Sequence, residues 1–358
     1  MTPIALGVKS GVRSRQNGVR MRQAAILSER RAALVDRPDP TPHDDWVVVK
    51  VHAAPMCTEF RAFLAGVPID SLGHEAAGEV VAVARPGRVK VGDRVVAMPL
   101  YGCGCCQLCV SGDYIHCEDV LHGQAFAPGG PGHATYAQYI TKPDWLLPKI
   151  PDGVPYDHAA LACCGLGASF GAMQLMRVDA FTTILITGAG PVGLGAVVNA
   201  RFRGARVIVV ESVPYRAEKA RAMGADAVLD PADPATPARI RELTHGIGVD
   251  CALDCSGTVA AQRLCIDATR RKGRISFVGE CSDPLALQIS PDMIRKGLTL
   301  MGSWHYNLAD FGKLMQVIQT SPLLDHLITH RFAMSEIQAA FECSISRQSG
   351  KIILDPQS

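Results

Sequence analysis

The chain has 358 residues, 48 % of them apolar and 20 % charged, which fits about two globular domains, each with its own core. A net charge of +2 excludes a general attraction to nucleic acid or to an anionic membrane, and no apolar run approaches the ~20 residues needed to span a bilayer. Thirteen cysteines, five of them within Cys103–Cys117, argue against a secreted disulfide framework and for metal binding in a reducing compartment, the cytoplasm.

Residues 1–20 carry Lys9, Arg13, Arg15 and Arg20, no acidic residue and no periodic apolar pattern. Such a segment has the composition of a transit peptide or of a disordered extension, and the extension is the reading preferred here. From Asp45 to Tyr139 the pattern is short strands and turns. Trp46–His52, Ala76–Ala84 and Arg94–Met98 are valine-rich and alternate or run apolar, and Val91-Gly92-Asp93 punctuates them as a turn. This predicts an all-β module of the partly open barrel kind.

After Pro155 the rhythm changes. Strands are predicted at Thr183–Thr187, Arg206–Glu211, Ala227–Asp230, Val249–Cys255 and Arg274–Val278. Helices are predicted between them at Val192–Arg203, Tyr215–Met223 and Val259–Arg270. Alternation of this kind indicates βαβ units on a parallel sheet. Two last helices, Asn307–Thr320 and Ser335–Ser344, are expected to return to the first domain.

Gly188-Ala189-Gly190-Pro191-Val192-Gly193 matches G-x-G-x-x-G, and it follows an apolar strand and opens a helix, the context that gives this string meaning. Gly188 permits the tight turn, Gly190 the approach of a pyrophosphate, and Gly193 the close packing of helix on strand. The free N–H groups of the helix start attract phosphate. Glu211, 18 residues after Gly193, is suited to accept hydrogen bonds from ribose hydroxyls and to repel a 2′-phosphate, which favours NAD over NADP. Arg216 stands five residues on, able to pack over the ribose or to tolerate a phosphate. Val278, at the end of its strand, completes the expected cofactor-binding set.

Cys103, Cys106, Cys109 and Cys117 fall as C-x2-C-x2-C-x7-C, a set of four thiolates that closes a tetrahedral shell and therefore reads as a structural zinc. Cys105 is read as a bystander. In order along the chain, Gly73-His74-Glu75, the Cys103–Cys117 lobe and the Gly188–Gly193 fingerprint resemble the zinc-dependent medium-chain dehydrogenases, the family of the alcohol, sorbitol and threonine dehydrogenases. The likeness runs from about Met21 to the C-terminus. It implies a GroES-like, partly open β-barrel catalytic domain (21–164 and 305–358) holding two zinc ions. It also implies a Rossmann doubly wound parallel-sheet domain (165–304), a homodimer or homotetramer, and a small alcohol or ketone as substrate.

The resemblance places the ligands of a catalytic zinc at Cys57, His74 and Cys164, with Cys163 and Glu75 as competitors for the third position. It also implies that the substrate proton leaves through a hydroxyl close to the first ligand. Here the sequence departs from the family. The usual run is Cys, one residue, Ser or Thr, then Asp, whereas this chain has Cys57-Thr58-Glu59 with Thr directly after Cys. Thr58 is taken as the relay, with Glu59 or a water as the alternative. The readings that compete with an alcohol dehydrogenase are a zinc-free quinone or enoyl reductase of the same superfamily and a non-catalytic dinucleotide-binding protein. Modest aromatic content (6 %) and the histidines His122, His133 and His305 favour a polyol, sugar or cyclitol over a long apolar alcohol.

Overall fold

The computed structural model describes residues 20–119 and 134–358. The expected extension lies outside the described residues apart from Arg20, which is already the first residue of a strand, and His122 and His133 lie outside them too. The opening hairpin pairs β1 (Arg20–Ser28) with β2 (Arg31–Pro38) in antiparallel register.

The first large sheet is organised by β3 (Trp46–Pro55), a strand of ten residues. One edge of β3 pairs with β4 (Ala76–Ala82), which in turn pairs with β5 (Arg94–Ala97). Elsewhere along its length Trp46–Lys50 pairs with β6 (Tyr139–Pro143), and Ala54 and Pro55 pair with β14 (Lys351–Asp355). β13 (Ile328–Ala333) lies parallel to β14 at the edge. Sharing one strand among three neighbours curls the sheet, and the result is the partly open barrel that the alternating pattern predicted. Its inside is dry: Val47, Val49 and Val51 alternate into a core that includes Phe63 and Phe341, whose rings stack 4.6 Å apart. Phe63 lies on α1 (Phe60–Ala65).

The second sheet has six strands, all parallel: β7 (Thr183–Thr187), β8 (Arg206–Val210), β9 (Ala227–Leu229), β10 (Val249–Asp254), β11 (Thr269–Phe277) and β12 (Thr299–Gly302). Their spatial order is β12-β11-β10-β7-β8-β9. That is two βαβαβ halves running outward from a switch point between β7 and β10, where an open α/β sheet leaves a crevice at the carboxyl ends of its strands. Two boundaries differ from expectation. The helix predicted over Val259–Arg270 stops at Ala268, because Thr269 is already paired with Val249 in the sheet and β11 runs on from there. The sixth strand, β12, is too short and too exposed to announce itself in the sequence.

The last helices are α2 (Phe311–Thr320) and α3 (Ile337–Ile345), each led in by a turn of 3₁₀ helix. Phe341 carries α3 into the barrel core. Among the described residues, no helix is long and apolar enough to cross a membrane.

Candidate active site

The residues expected around a catalytic metal come from three places in the chain and converge. Cys57 follows β3, His74 and Glu75 precede β4, and Cys164 sits between two short helices. One ligand atom from each lies within 4.8 Å of all the others. Gly73 permits the turn that brings His74 there. It has φ +84°, and a Cβ on it would lie 2.4 Å from atoms of both Thr135 and Tyr136.

The imidazole of His74 is oriented through its far nitrogen. Nδ1 lies 2.8 Å from Oε1 of Glu59, so the proton belongs on Nδ1 and Nε2 faces the cluster, 3.2 Å from the sulfur of Cys164. A carboxylate behind a ligating histidine fixes its tautomer and raises its basicity. The other oxygen of Glu59 accepts from the N–H of Cys57 at 3.0 Å and from the Tyr136 hydroxyl at 2.8 Å. Burial by itself raises the Glu59 carboxyl pKa, but the adjacent His74 outweighs it and holds the group at about 2. Glu59 was read from the sequence only as an alternative relay; here it is a positioning carboxylate with both oxygens engaged.

Glu75 is fully buried and paired with an equally buried Lys351 at 2.6 Å. Its second oxygen accepts from the N–H of Cys164 at 3.1 Å, so it shapes the loop that presents that sulfur. Burial lifts its carboxyl to about 7 against the pull of Lys351. Burial also works against the charge of Lys351, yet Glu75 keeps that amine above its usual range. Sequence reasoning missed Lys351, whose signal was a lone charge opening the apolar run Lys351–Leu354.

The choice between neighbouring cysteines is decided by direction. Cys163 donates to the Ala97 carbonyl at 3.5 Å and faces the barrel, whereas the Cys164 sulfur joins the cluster. A hydrogen bond from Cys164 draws the Cys57 thiol well below its ordinary range. Two soft sulfurs, an imidazole and a carboxylate are a donor set that suits zinc.

The second cysteine group also closes in space. Cys103, Cys106, Cys109 and Cys117 bring their sulfurs within 4.8 Å of one another, with 4.0 Å between Cys103 and Cys109 and 3.8 Å between Cys106 and Cys117. Four thiolates at ~2.3 Å from a tetrahedral zinc stand about 3.8 Å apart, so the spacing fits a closed shell. Backbone N–H groups of Cys103, Cys106 and Cys109 point at sulfurs of the set. Cys105 is exposed, 3.6 Å from Cys103, and outside the set.

A cleft of about 750 Å³ runs along the switch point. Gly188, Gly190, Pro191, Val192, Glu211 and Arg216 line it, and so do Cys57 and Thr58. Gly193 lies beneath the turn, where a Cβ would sit 1.8 Å from the carbonyl oxygen of Gly188. Glu211, just past the end of β8, is buried, and its oxygens accept from the N–H groups of Ala189 at 2.5 Å and Val213 at 2.7 Å. A carboxylate has about four lone-pair sites, so it keeps acceptor capacity for a ligand in the cleft. Arg216 is anchored by donating to the Ser349 carbonyl at 3.3 Å. Val278 is only partly buried against the core and is not among the residues lining the cleft. Thr58 is exposed beside Cys57 at the cleft wall.

Residues 43–152 match the alcohol dehydrogenase GroES-like domain and residues 191–320 the zinc-binding dehydrogenase domain. An L-threonine 3-dehydrogenase of Symbiobacterium thermophilum is 32 % identical, over 91 % of this chain and 94 % of that protein. A sorbitol dehydrogenase of Halalkalibacterium halodurans is 29 % identical, over 90 % and 95 %. The crystal structure of 2R,3R-butanediol dehydrogenase from Bacillus subtilis superposes with a TM-score of 0.82 at 25 % identity, covering 94 % of this chain and 99 % of that one.

Gly193→Ala tests the turn. The added methyl forces the carbonyl of Gly188 aside, so the variant is expected to melt lower and to lose at least about tenfold in dinucleotide affinity, ~1.4 kcal/mol. Calorimetric titration of wild type and variant checks this, and equal affinities would place the phosphates elsewhere.

Proposed function

The chain belongs to the zinc-dependent medium-chain dehydrogenase/reductase family, and from that premise we propose an NAD-dependent oxidation of a polyol, sugar or cyclitol hydroxyl, reversible to the ketone. The observation that carries the proposal is the cleft shared by Cys57, Thr58 and the Gly188–Val192 turn, which sets the ligand cluster against the dinucleotide seat. The relatives named for sorbitol, threonine and butanediol act on substrates with a polar group beside the carbon that reacts, which supports a polyfunctional alcohol.

We assign Cys57, His74 and Cys164 to a catalytic zinc, Glu75 to the shell behind it, and Cys103, Cys106, Cys109 and Cys117 to a structural zinc. A zinc ion held there would supply Lewis acidity toward the alcohol, and a nicotinamide dinucleotide in the cleft would supply the hydride acceptor. The chain's own residues do the positioning. Glu59 aims the imidazole of His74, while Lys351 neutralises Glu75 and keeps it on the backbone of Cys164. Glu59 is held by His74, the Cys57 N–H and Tyr136, and we assign the substrate proton's path toward solvent to the exposed Thr58 hydroxyl at the cleft wall. Glu211 takes the ribose hydroxyls and Arg216 packs above it. Accordingly we divide the chain into a catalytic domain of 21–164 with 305–358 and a dinucleotide-binding domain of 165–304. Homo-oligomerisation is supported by the edge position of β12 and by exposed Ile289 and Ile294 in the segment leading to it. Six of the thirteen cysteines belong to the two ligand sets, which suits the reducing cytoplasm.

Metal-replete protein carries two zinc ions per chain by elemental analysis. Cys57→Ser loses turnover with the fold retained, whereas Cys106→Ser destabilises its lobe, since binding energy at a structural zinc is folding energy. Cofactor kinetics favour NAD by at least about tenfold, ~1.4 kcal/mol, and Glu211→Ala narrows the gap; equal kinetics with NADP would show that Arg216 sets the preference. Thr58→Val lowers kcat by about 10²–10⁴-fold, the usual worth of acid–base assistance, with zinc content unchanged, while Thr58→Ser is nearly silent. A Thr58→Val enzyme with normal kcat moves the relay to a water.

A further inference from the structure

His305 is buried, with 6 % of its surface exposed, and neither ring nitrogen has a hydrogen-bond partner among the described residues. A neutral imidazole always presents one donor and one acceptor, so a buried ring with both unmet is an expensive arrangement that calls for a missing partner. The ring is not loosely placed. It stacks on Tyr306 with centroids 4.7 Å apart, and the Tyr306 hydroxyl is itself seated on the sulfur of Met98 at 3.7 Å. The His305 carbonyl packs so closely on the helix Gly167–Leu175 that a Cβ on Gly171 would lie 2.1 Å from it. That helix starts three residues after Cys164.

The position along the sheet says where the missing partner belongs. His305 is three residues beyond Gly302, the carboxyl end of β12. In a parallel sheet all strands end on the same side, and here the ends of β7 and β8 carry Gly188 and Glu211 into the cleft. His305 is thus on the ligand side of the sheet, on the half running from β10 to β12. Burial pushes the His305 pKa down to about 3. The ring therefore stays uncharged at neutral pH and suits a hydroxyl better than a carboxylate.

We propose that His305 is the second polar anchor of the substrate pocket and binds a hydroxyl on the carbon adjacent to the one oxidised. Vicinal diols and polyols, rather than monofunctional alcohols, are then the substrate class. The inference rests on the oxidoreductase reading above and assigns its specificity to one residue. Phe in place of His keeps the stacked ring and removes both nitrogens, whereas Gln retains a donor and an acceptor.

The test compares 2,3-butanediol with 2-butanol, which share a carbon skeleton, as substrates of the zinc-replete enzyme with NAD. Wild type is expected to prefer the diol in kcat/KM. His305→Phe should reduce that preference by about 10–100-fold, chiefly through the KM of the diol, and His305→Gln should restore most of it. A preference unchanged in His305→Phe overturns the proposal. A readout without turnover is the ring-nitrogen NMR signal of ¹⁵N-histidine-labelled wild type: the His305 resonance, identified by its absence in the variants, should shift with the diol and not with 2-butanol. If no alcohol is oxidised yet the resonance answers the diol, the oxidoreductase reading falls and the anchor stands. If it answers neither compound, the anchor falls.

Discussion

The site depends on one interaction, the buried pair of Glu75 and Lys351, 276 residues apart in sequence and fully shielded from solvent. Two charges taken out of water lose more hydration than their attraction repays unless the geometry is good and the remaining lone pairs are met. Here those terms are satisfied by the 2.6 Å contact and by the Cys164 N–H on the second oxygen. The pair ties β14, which closes the barrel sheet, to the segment that delivers His74 and to the loop that delivers Cys164. Hydrophobic residues of similar volume could stabilise the barrel as well, but they would leave Cys164 without a fixed backbone. The pair is understandable as a positioning device rather than as a source of stability.

Glu59 shows the same logic in the sequence's departure from its family. Thr stands directly after Cys57, where the resemblance implies one intervening residue before Ser or Thr and then Asp. The acidic residue is Glu instead of Asp, one methylene longer, and that reach lets its carboxylate meet Nδ1 of His74, the N–H of Cys57 and the Tyr136 hydroxyl together. Three contacts on one carboxylate fix the turn that carries Thr58 at the rim of the pocket.

What the sequence made legible is what depends on local spacing. The four-cysteine lobe and the glycine fingerprint are each written within a few turns of chain, and the strand–helix alternation predicted the parallel sheet that the strand order bears out. The partners that set direction were not legible, because they are long-range. Nothing near Lys351 announces Glu75, and nothing near Glu59 announces Tyr136. The choice of Cys164 over Cys163 turned on which sulfur the chain points at the barrel, a matter of one residue's rotation that spacing does not record. β6 and β13 were missed for a related reason, since their pairing with strands elsewhere in the chain, rather than their own pattern, makes them strands.

The two halves of the chemistry meet because of topology. A parallel sheet with its switch point between β7 and β10 opens at the carboxyl ends of the strands, and every loop that leaves there faces the same crevice. The barrel side contributes residues from two stretches to that crevice, 56–64 and 344–352, and the first, running from the end of β3 into α1, carries Cys57 and Thr58. The wall of the cleft is therefore a composite: glycines and Glu211 from one sheet, a ligand and a hydroxyl from the other. Hydride transfer needs the reacting carbon to touch both a nicotinamide and an acidified oxygen, and neither domain alone offers both. The short Cys57-Thr58-Glu59 turn accordingly bears two demands at once. Its side chains must hold the Cys57 sulfur in register with His74 while its exposed face stays open to whatever fills the cleft.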